Sequence, residues 1–144
     1  MNKELIMYHF EEFIKALITL SLSAEKQIHI IGIGHTGDEM VIDFDTFYRD
    51  HIDSYIKEGL ISTKQAVLLE AFDNFLEVQS LNQPPEFFLD RKILKESQVW
   101  EDIRIETKKL LRALNRADWD IRVHRRVDGN VEHTKTEIIK KDIT

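Results

Sequence analysis

Apolar residues recur every three or four positions along most of the first 115 residues, which is the spacing of an α-helix with one buried face. Asn2 can cap a first helix that runs to about Leu20. Its apolar face comprises Leu5, His9, Phe13, Ala16, Leu17 and Leu20. A helix from about Ser97 to Asn115 has its stripe at Trp100, Ile103, Thr107, Leu110, Leu111 and Leu114. The pattern therefore predicts a mainly α-helical fold.

Two further helix starts carry the signature of a capping box, in which two side chains three residues apart each bond the backbone N–H of the other. The sequences are Thr-Gly-Asp-Glu at 36–39 and Ser-Thr-Lys-Gln at 62–65. The first predicts one helix over 38–57 with a buried side formed by Met40, Val41, Phe44, Phe47, Tyr48, Ile52 and Tyr55. The second predicts a helix that ends near Ser80, before the two adjacent prolines.

Residues 24–33 are compatible with two structures. The β-branched run over 28–33 is typical of a strand. Ser23 and the Ala-Glu-Lys-Gln segment after it favour a short helix that begins at a serine cap. We favour the helix and expect Gly32 and Gly34 to end it.

The periodicity changes after residue 115. Residues 119–123 alternate apolar with polar, which is the repeat of a strand. The Asp-Gly pair at 128–129 is a hairpin turn signal, and 131–139 provides a returning strand. The predicted fold is therefore a multi-helix bundle over 1–115 followed by a C-terminal β-hairpin over 116–144, within a single domain of 144 residues.

Composition and charge limit the possible functions. Cysteine is absent, which excludes disulfides and thiolate chemistry. Residues 1–90 carry 6 Lys and Arg against 16 Asp and Glu, whereas 91–144 carry 14 against 10. The acidic part should attract a basic protein and repel nucleic acid. No apolar stretch is long enough for a membrane span, and the N-terminus lacks a signal-peptide pattern, so we expect a cytoplasmic protein.

The densest group of potential metal ligands comprises His35, Asp38, Glu39, Asp43 and Asp45. On a continuous helix, His35, Glu39 and Asp43 would share a face and could hold a divalent metal ion for catalysis. Capping already accounts for Thr36 and Glu39, however, and no metal motif of defined spacing is present. We therefore expect no metal and no other cofactor.

Other catalytic and nucleic-acid signals are weak. The glycine run over 32–37 departs from the dinucleotide fingerprint, and acidic residues follow where a phosphate would lie. No nucleophile motif is present, so we expect that the protein is not an enzyme. A basic tail could contact nucleic acid, but no aromatic stacking pattern accompanies it. Its residues are Arg122, Arg125, Arg126, Lys135, Lys140 and Lys141.

An acidic face with one apolar residue is the best candidate for binding. Successive rotations of 100° along the helix predicted for 38–57 place Glu39, Asp43, Asp50 and Asp53 together around Thr46. Ile42 lies within this face, away from the apolar stripe. An apolar residue surrounded by carboxylates is a plausible protein-binding hot spot with electrostatic steering. The alternative is an ordinary solvated helix face.

Four short motifs resemble a group of small helical bacterial proteins that are encoded near secreted polymorphic toxins. They are Ala-x-x-Gln-Ile at 24–28, Asp-Glu-Met-x-x-Asp-Phe-Asp at 38–45, Gly-Leu-Ile at 59–61 and Trp-Glu-x-Ile-Arg at 100–104. The resemblance covers about residues 24–115. It implies a cytosolic immunity protein that neutralises a cognate toxin, with no catalytic residues. The alternatives are a small regulatory or adaptor protein and, less favoured, a metal-dependent enzyme using His35, Glu39 and Asp43.

Overall fold

A computed structural model describes residues 2–140, in which eight α-helices precede an antiparallel two-stranded hairpin. This confirms the predicted mainly α-helical bundle with a C-terminal β-hairpin. The end of the predicted tail, 141–144 with Lys141, lies outside the described residues. The elements are α1 Lys3–Ser21, α2 Ala24–Ile31, α3 Thr36–Tyr48, α4 Ile52–Lys57, α5 Thr63–Leu81, α6 Glu86–Leu89, α7 Arg91–Glu96, α8 Gln98–Ala113, β1 Trp119–Asp128 and β2 Val131–Lys140.

Helix α1 is the centre of the core and packs most extensively against α3 and α8. Asn2 Oδ1 accepts a hydrogen bond from the backbone N–H of Glu4 at 2.8 Å, which confirms the predicted cap. Nearly all side chains from Phe13 to Leu22 are buried, so the second half of α1 is enclosed on most sides. Tyr48 of α3 and Tyr55 of α4 stack against Phe13, and the Phe44 ring contacts it at a tilt, which makes the core rich in aromatic contacts.

Of the two predicted capping boxes, the structure contains the second and not the first. Ser62 and Gln65 form theirs, with both reciprocal hydrogen bonds at 3.0 Å. The box predicted at 36–39 is wrong, because Thr36 is already the first residue of α3. Its hydroxyl is buried and has no hydrogen-bond partner within residues 2–140. The extended N-cap position is occupied by His35 instead, one residue before the predicted cap, and His35 makes no side-chain capping bond. The start of α3 is closely packed, since a Cβ on Gly37 would lie 2.8 Å from Trp100 Cζ2 and 3.0 Å from the Phe88 carbonyl.

The single helix predicted for 38–57 is also wrong. Helix α3 ends at Tyr48, and α4 begins at Ile52 after a turn. Tyr55 folds back from α4 into the core, where its hydroxyl donates to the Phe47 carbonyl at 2.6 Å. This bond satisfies one of the carbonyls that the end of α3 leaves free. The helix favoured for 24–33 is confirmed as α2, which ends before Gly32.

A buried polar junction joins α2 to three other helices. Gln27 donates from Nε2 to the carbonyls of Thr19 and Leu20, both at 3.1 Å. Arg104 donates from Nε to Gln27 Oε1 at 3.2 Å and from Nη2 to the Leu94 carbonyl at 2.6 Å. Both side chains are buried, and these bonds offset the cost of removing them from water.

The hairpin docks on the helices through its base, while its tip is exposed. The strands pair from Trp119 opposite Lys140 to Asp128 opposite Val131. Lys15 of α1 donates to the Thr136 carbonyl at 2.9 Å, and Arg125 donates to the carbonyls of His29 and Ile30 at the end of α2. An isolated hairpin is marginally stable in water, so these contacts explain how it is held.

Candidate functional site

The outward side of α3 carries a row of exposed and partly exposed residues that we call the α3 ridge. Its members are Glu39, Ile42, Asp43 and Thr46. The ridge lies opposite the buried side chains of Met40, Phe44 and Tyr48, as the helical repeat requires. Ile42 is 49% exposed and is the one large aliphatic side chain in this row. A concavity lies on each side of this ridge.

The first concavity, the α3–α5 groove, is mainly apolar and has a volume of about 460 Å³. Phe44 and Leu76 line it from inside, and Ile42 and Leu81 line it with largely exposed side chains. Phe44 is held in place from the core, where its ring meets that of Phe72 edge to face with centroids 5.4 Å apart. The groove therefore presents apolar surface continuous with Ile42 of the ridge.

Charged side chains border the same groove. Arg49 donates from Nε to Asp45 Oδ1 at 2.8 Å and from Nη2 to Asp73 Oδ1 at 3.4 Å, which links the end of α3 to α5. Burial raises the pKa of Asp73, although Arg49 acts in the opposite direction. Glu77 also lines the groove. Three carboxylates and one guanidinium leave the border net acidic.

The second concavity, the α1–α3 pocket, is polar and has a volume of about 330 Å³. Glu12, Glu39 and Asp43 line it together with Lys15, whose ammonium group donates to Glu12 Oε1 at 3.2 Å. Burial raises the pKa of Asp43 to about 6, and the negative charges of Glu39 and Glu12 add to the effect. The pocket thus holds more carboxylates than cations, which suits an incoming basic side chain.

The structure brings together four of the six residues predicted to bind a partner. Glu39, Ile42, Asp43 and Thr46 form the α3 ridge, although Asp43 is partly buried and faces Glu12 of α1. The prediction that Asp50 and Asp53 share this helix face is wrong, because α3 ends at Tyr48. Both are exposed, Asp50 in the turn after α3 and Asp53 in α4. Their part in binding stays a prediction.

The metal-binding arrangement proposed for His35, Glu39 and Asp43 is not formed. His35 precedes α3 with an extended backbone at φ −93° and ψ 97°, so it does not continue the helix face. Within residues 2–140, no group of three or more His, Asp or Glu side chains is placed to hold a metal ion.

Sequence reasoning missed the residues that other helices contribute to the site. Glu12 and Lys15 come from α1, and Asp73, Glu77 and Leu81 come from α5. One signal was available, because Leu81 is an apolar residue outside the buried stripe of α5. The contribution of α1 had no such signal, since it depends on how the helices pack.

Comparisons of the chain with protein-family models, curated proteins and solved structures find no match. No helix within residues 2–140 is long and apolar enough to cross a membrane.

Proposed function

We propose that this protein is an immunity protein that binds a cognate bacterial toxin and blocks it, with the α3 ridge as the contact surface. The observation that carries the proposal is the position of Ile42, half exposed beside an apolar groove and next to an acidic pocket. Binding hot spots have this organisation, in which a desolvated apolar anchor is surrounded by polar groups. The resemblance of residues 24–115 to immunity proteins supports the class of partner.

The negative charge on this side of the protein favours a toxin with a basic contact surface. The ridge and the α1–α3 pocket contain Glu39, Asp43 and Glu12, and among residues 2–140 Lys15 is the one cation that lines the pocket with them. Toxins that act on nucleic acid carry Lys and Arg to contact phosphates, so their working surface would be attracted to this side. A Lys or Arg side chain in the pocket would favour the ionised form of Asp43, and binding would then release a proton.

The first test is co-expression with the product of the neighbouring toxin gene, with growth rescue and complex formation as readouts. The proposal expects rescue by the parent chain and a stoichiometric complex. Failure to rescue, or rescue without a complex, would argue against direct neutralisation. Complex formation with a different protein and no protection would instead indicate an adaptor.

The second test places the interface on the ridge. Ile42→Ala should raise the dissociation rate of the complex about tenfold or more, because it truncates the apolar anchor. Ile105→Ala is the matched control, since Ile105 is a similarly exposed isoleucine on α8. Thermal melts should show little change for either variant. Equal dissociation rates for the two variants would show that the ridge is not part of the interface.

The third test concerns steering. Glu39→Lys should slow association and weaken its dependence on salt, whereas Glu96→Lys, an exposed reversal on α7, should leave both unchanged. The measurement is the association rate of each variant with the toxin at several salt concentrations. A Glu39→Lys variant that associates as fast as the control would show that the acidic side does not attract the toxin.

A further inference from the structure

Two histidines outside the proposed binding surface meet between α1 and the turn after α3. His9 of α1 and His51, which directly precedes α4, have ring centroids 4.2 Å apart at an interplanar angle of 49°. Both side chains are partly buried. The Nδ1 atom of each ring is buried and has no hydrogen-bond partner within residues 2–140. We call this contact the histidine pair.

Aromatic rings surround the histidine pair. The ring centroid of His9 lies 5.8 Å from that of Tyr8 and 6.2 Å from that of Phe47. The ring of His51 stacks on Tyr55 with centroids 6.3 Å apart. These rings shield the two Nδ1 atoms from water, and none of them accepts a hydrogen bond from either atom.

This arrangement favours two neutral histidines. A neutral imidazole can carry its proton on Nε2, so a buried Nδ1 without an acceptor is tolerated. Protonation places an N–H on both ring nitrogens and leaves a buried donor without an acceptor. A second proton would also put two positive charges 4.2 Å apart. In agreement with this, burial and the neighbouring His9 lower the pKa of His51.

The charges of the turn and of α4 compensate the histidine pair only weakly. Asp50 adjoins His51 and raises its pKa, but burial and the second imidazole lower that pKa by more. The carboxylate of Asp50 is exposed, so water and salt screen it. The charged residues of α4 and its C-cap are also exposed, namely Asp53, Lys57 and Glu58.

The charges of α1 and α3 are engaged elsewhere. On α1, Glu12 follows His9 by one turn, and its carboxylate accepts a hydrogen bond from Lys15 at 3.2 Å. On α3, the ring in contact with the pair is that of Phe47, which is uncharged. Asp43 lines the α1–α3 pocket, and Arg49 after α3 is bonded to two carboxylates. A proton on the pair therefore lacks a counter-ion of its own.

We propose that the histidine pair is an acid-sensitive contact, which holds the turn after α3 against α1 while both rings are neutral and opens when the pair becomes charged. Opening frees residues 49–52. Tyr55 stays in the core, because its ring is fully buried and its hydroxyl donates to the Phe47 carbonyl. This pH response does not depend on the proposed toxin binding.

The direction of the pKa change gives the direction of the effect on stability. A histidine whose pKa is lowered in the folded state binds its proton more tightly in the unfolded state. The pair therefore stabilises the fold above the ordinary histidine pKa of 6.5, and this contribution is lost as the pH falls through that value. Asp43 acts in the opposite sense, so parent and variant are compared at the same pH.

Urea unfolding of the parent and His51→Phe, near pH 7.5 and near pH 5, is the first test. Phenylalanine keeps an aromatic ring at this position but cannot be protonated, and His51 makes no side-chain capping bond that would be lost. Acidification should raise the unfolding equilibrium constant of the parent about fivefold or more relative to His51→Phe, since two unit charges at this spacing repel one another even in water.

His35→Phe is the matched control. His35 also stands at an N-cap position without a side-chain capping bond, but it is exposed. Its replacement should leave the acid response equal to that of the parent. His9→Phe should behave like His51→Phe, so if either variant fails to fold, the other provides the test.

Hydrogen exchange shows where the chain opens. The backbone N–H of His51 donates to the Tyr48 carbonyl at 3.2 Å. Its protection factor, which corrects for the intrinsic pH dependence of exchange, should fall about fivefold or more on acidification of the parent. It should change little in His9→Phe, and the amides of α8 should keep their protection in both chains.

Two results would overturn the proposal. If His51→Phe and His9→Phe respond to acid as the parent does, the pair does not control the pH dependence. If the His51 amide keeps its protection in acid, the turn does not open. Because both measurements are made without toxin, they separate this proposal from the proposed function.

Discussion

Gly37 is the residue at which the start of α3 presses against the core. Its position has no room for a methyl group, because Trp100 Cζ2 and the Phe88 carbonyl both approach within 3.0 Å of an added Cβ. Gly37→Ala should therefore lower the free energy of unfolding by about 1–3 kcal/mol, even though alanine favours helices. Denaturant unfolding measures the change.

A double-mutant cycle identifies the cause of that loss. Trp100→Phe removes the Cζ2 atom that an added methyl would meet, so Gly37→Ala should cost less in the Trp100→Phe background. Strict additivity of the two changes would mean that Trp100 is not the obstacle.

Asp43 makes the protein's stability depend on pH. Its carboxyl has a pKa of about 6 in the folded protein against an ordinary value of 3.8, so between these values the folded state binds more protons than the unfolded state. The free energy of unfolding therefore falls as the pH rises through this window. Solvent screening at this partly exposed site reduces the effect, so Asp43→Asn should raise the free energy of unfolding by about 1–2 kcal/mol near pH 7.5 and change it little near pH 4.

Urea titrations at the two pH values test this expectation. Asp50→Asn is the control, because Asp50 is exposed and its change should have little effect at either pH. An Asp43→Asn variant that is equally stabilised at both pH values would exclude ionisation as the cause. If the α3 ridge binds the toxin, the ionised Asp43 is retained at a cost in stability because it contributes to binding.

At the scale of elements, the end of α2 depends on two distant arginines. Arg91 donates to the Gly32 carbonyl at 2.9 Å, and Arg125 of β1 donates to the carbonyls of His29 and Ile30. Cations are favourable at this negative end of a helix dipole, and they satisfy carbonyls that the helix leaves free. The hairpin and α2 therefore hold each other in place.

Arg125→Ala should loosen the hairpin without unfolding the helices. We expect a loss of about 1.5–3 kcal/mol of local stability, the usual value of hydrogen bonds to charged groups. Hydrogen exchange of the strand amides measures it, and the amides of α1 and α8 should keep their protection. Arg122→Ala is the control, because exposed Arg122 contacts Glu137 within the hairpin instead of α2. Equal exchange in both variants would show that the link to α2 does not hold the strands.

The break between α3 and α4 could not be predicted from the spacing of apolar residues. Residues 38–57 keep a helical spacing of apolar residues, and no Gly or Pro interrupts them. The turn is stabilised by Tyr55, which reaches the Phe47 carbonyl from within the core. A contact of this kind depends on tertiary packing, so the spacing alone indicates one helix where there are two.

For the molecule as a whole, the sequence predicts those elements and caps that depend on residues close together in the chain. The strand repeat after residue 115 and the Ser62 cap are local signals, and both are confirmed. The Thr36 cap is wrong because α3 begins one residue earlier than predicted, with His35 at the N-cap position. The candidate site was predictable only along α3, since the groove and the pocket are completed by α5 and α1.

The two tryptophans lie in separate parts of the molecule. Trp100 is buried in the helical core and stacks on Phe87 with ring centroids 4.6 Å apart. Trp119 begins the hairpin and lies under the cations of Arg116 and Lys140. Each indole is thus an intrinsic fluorophore for one part of the chain, and replacing either one with phenylalanine isolates the emission of the other. Comparing the two emission curves during denaturation tells whether the strands detach before the helices melt.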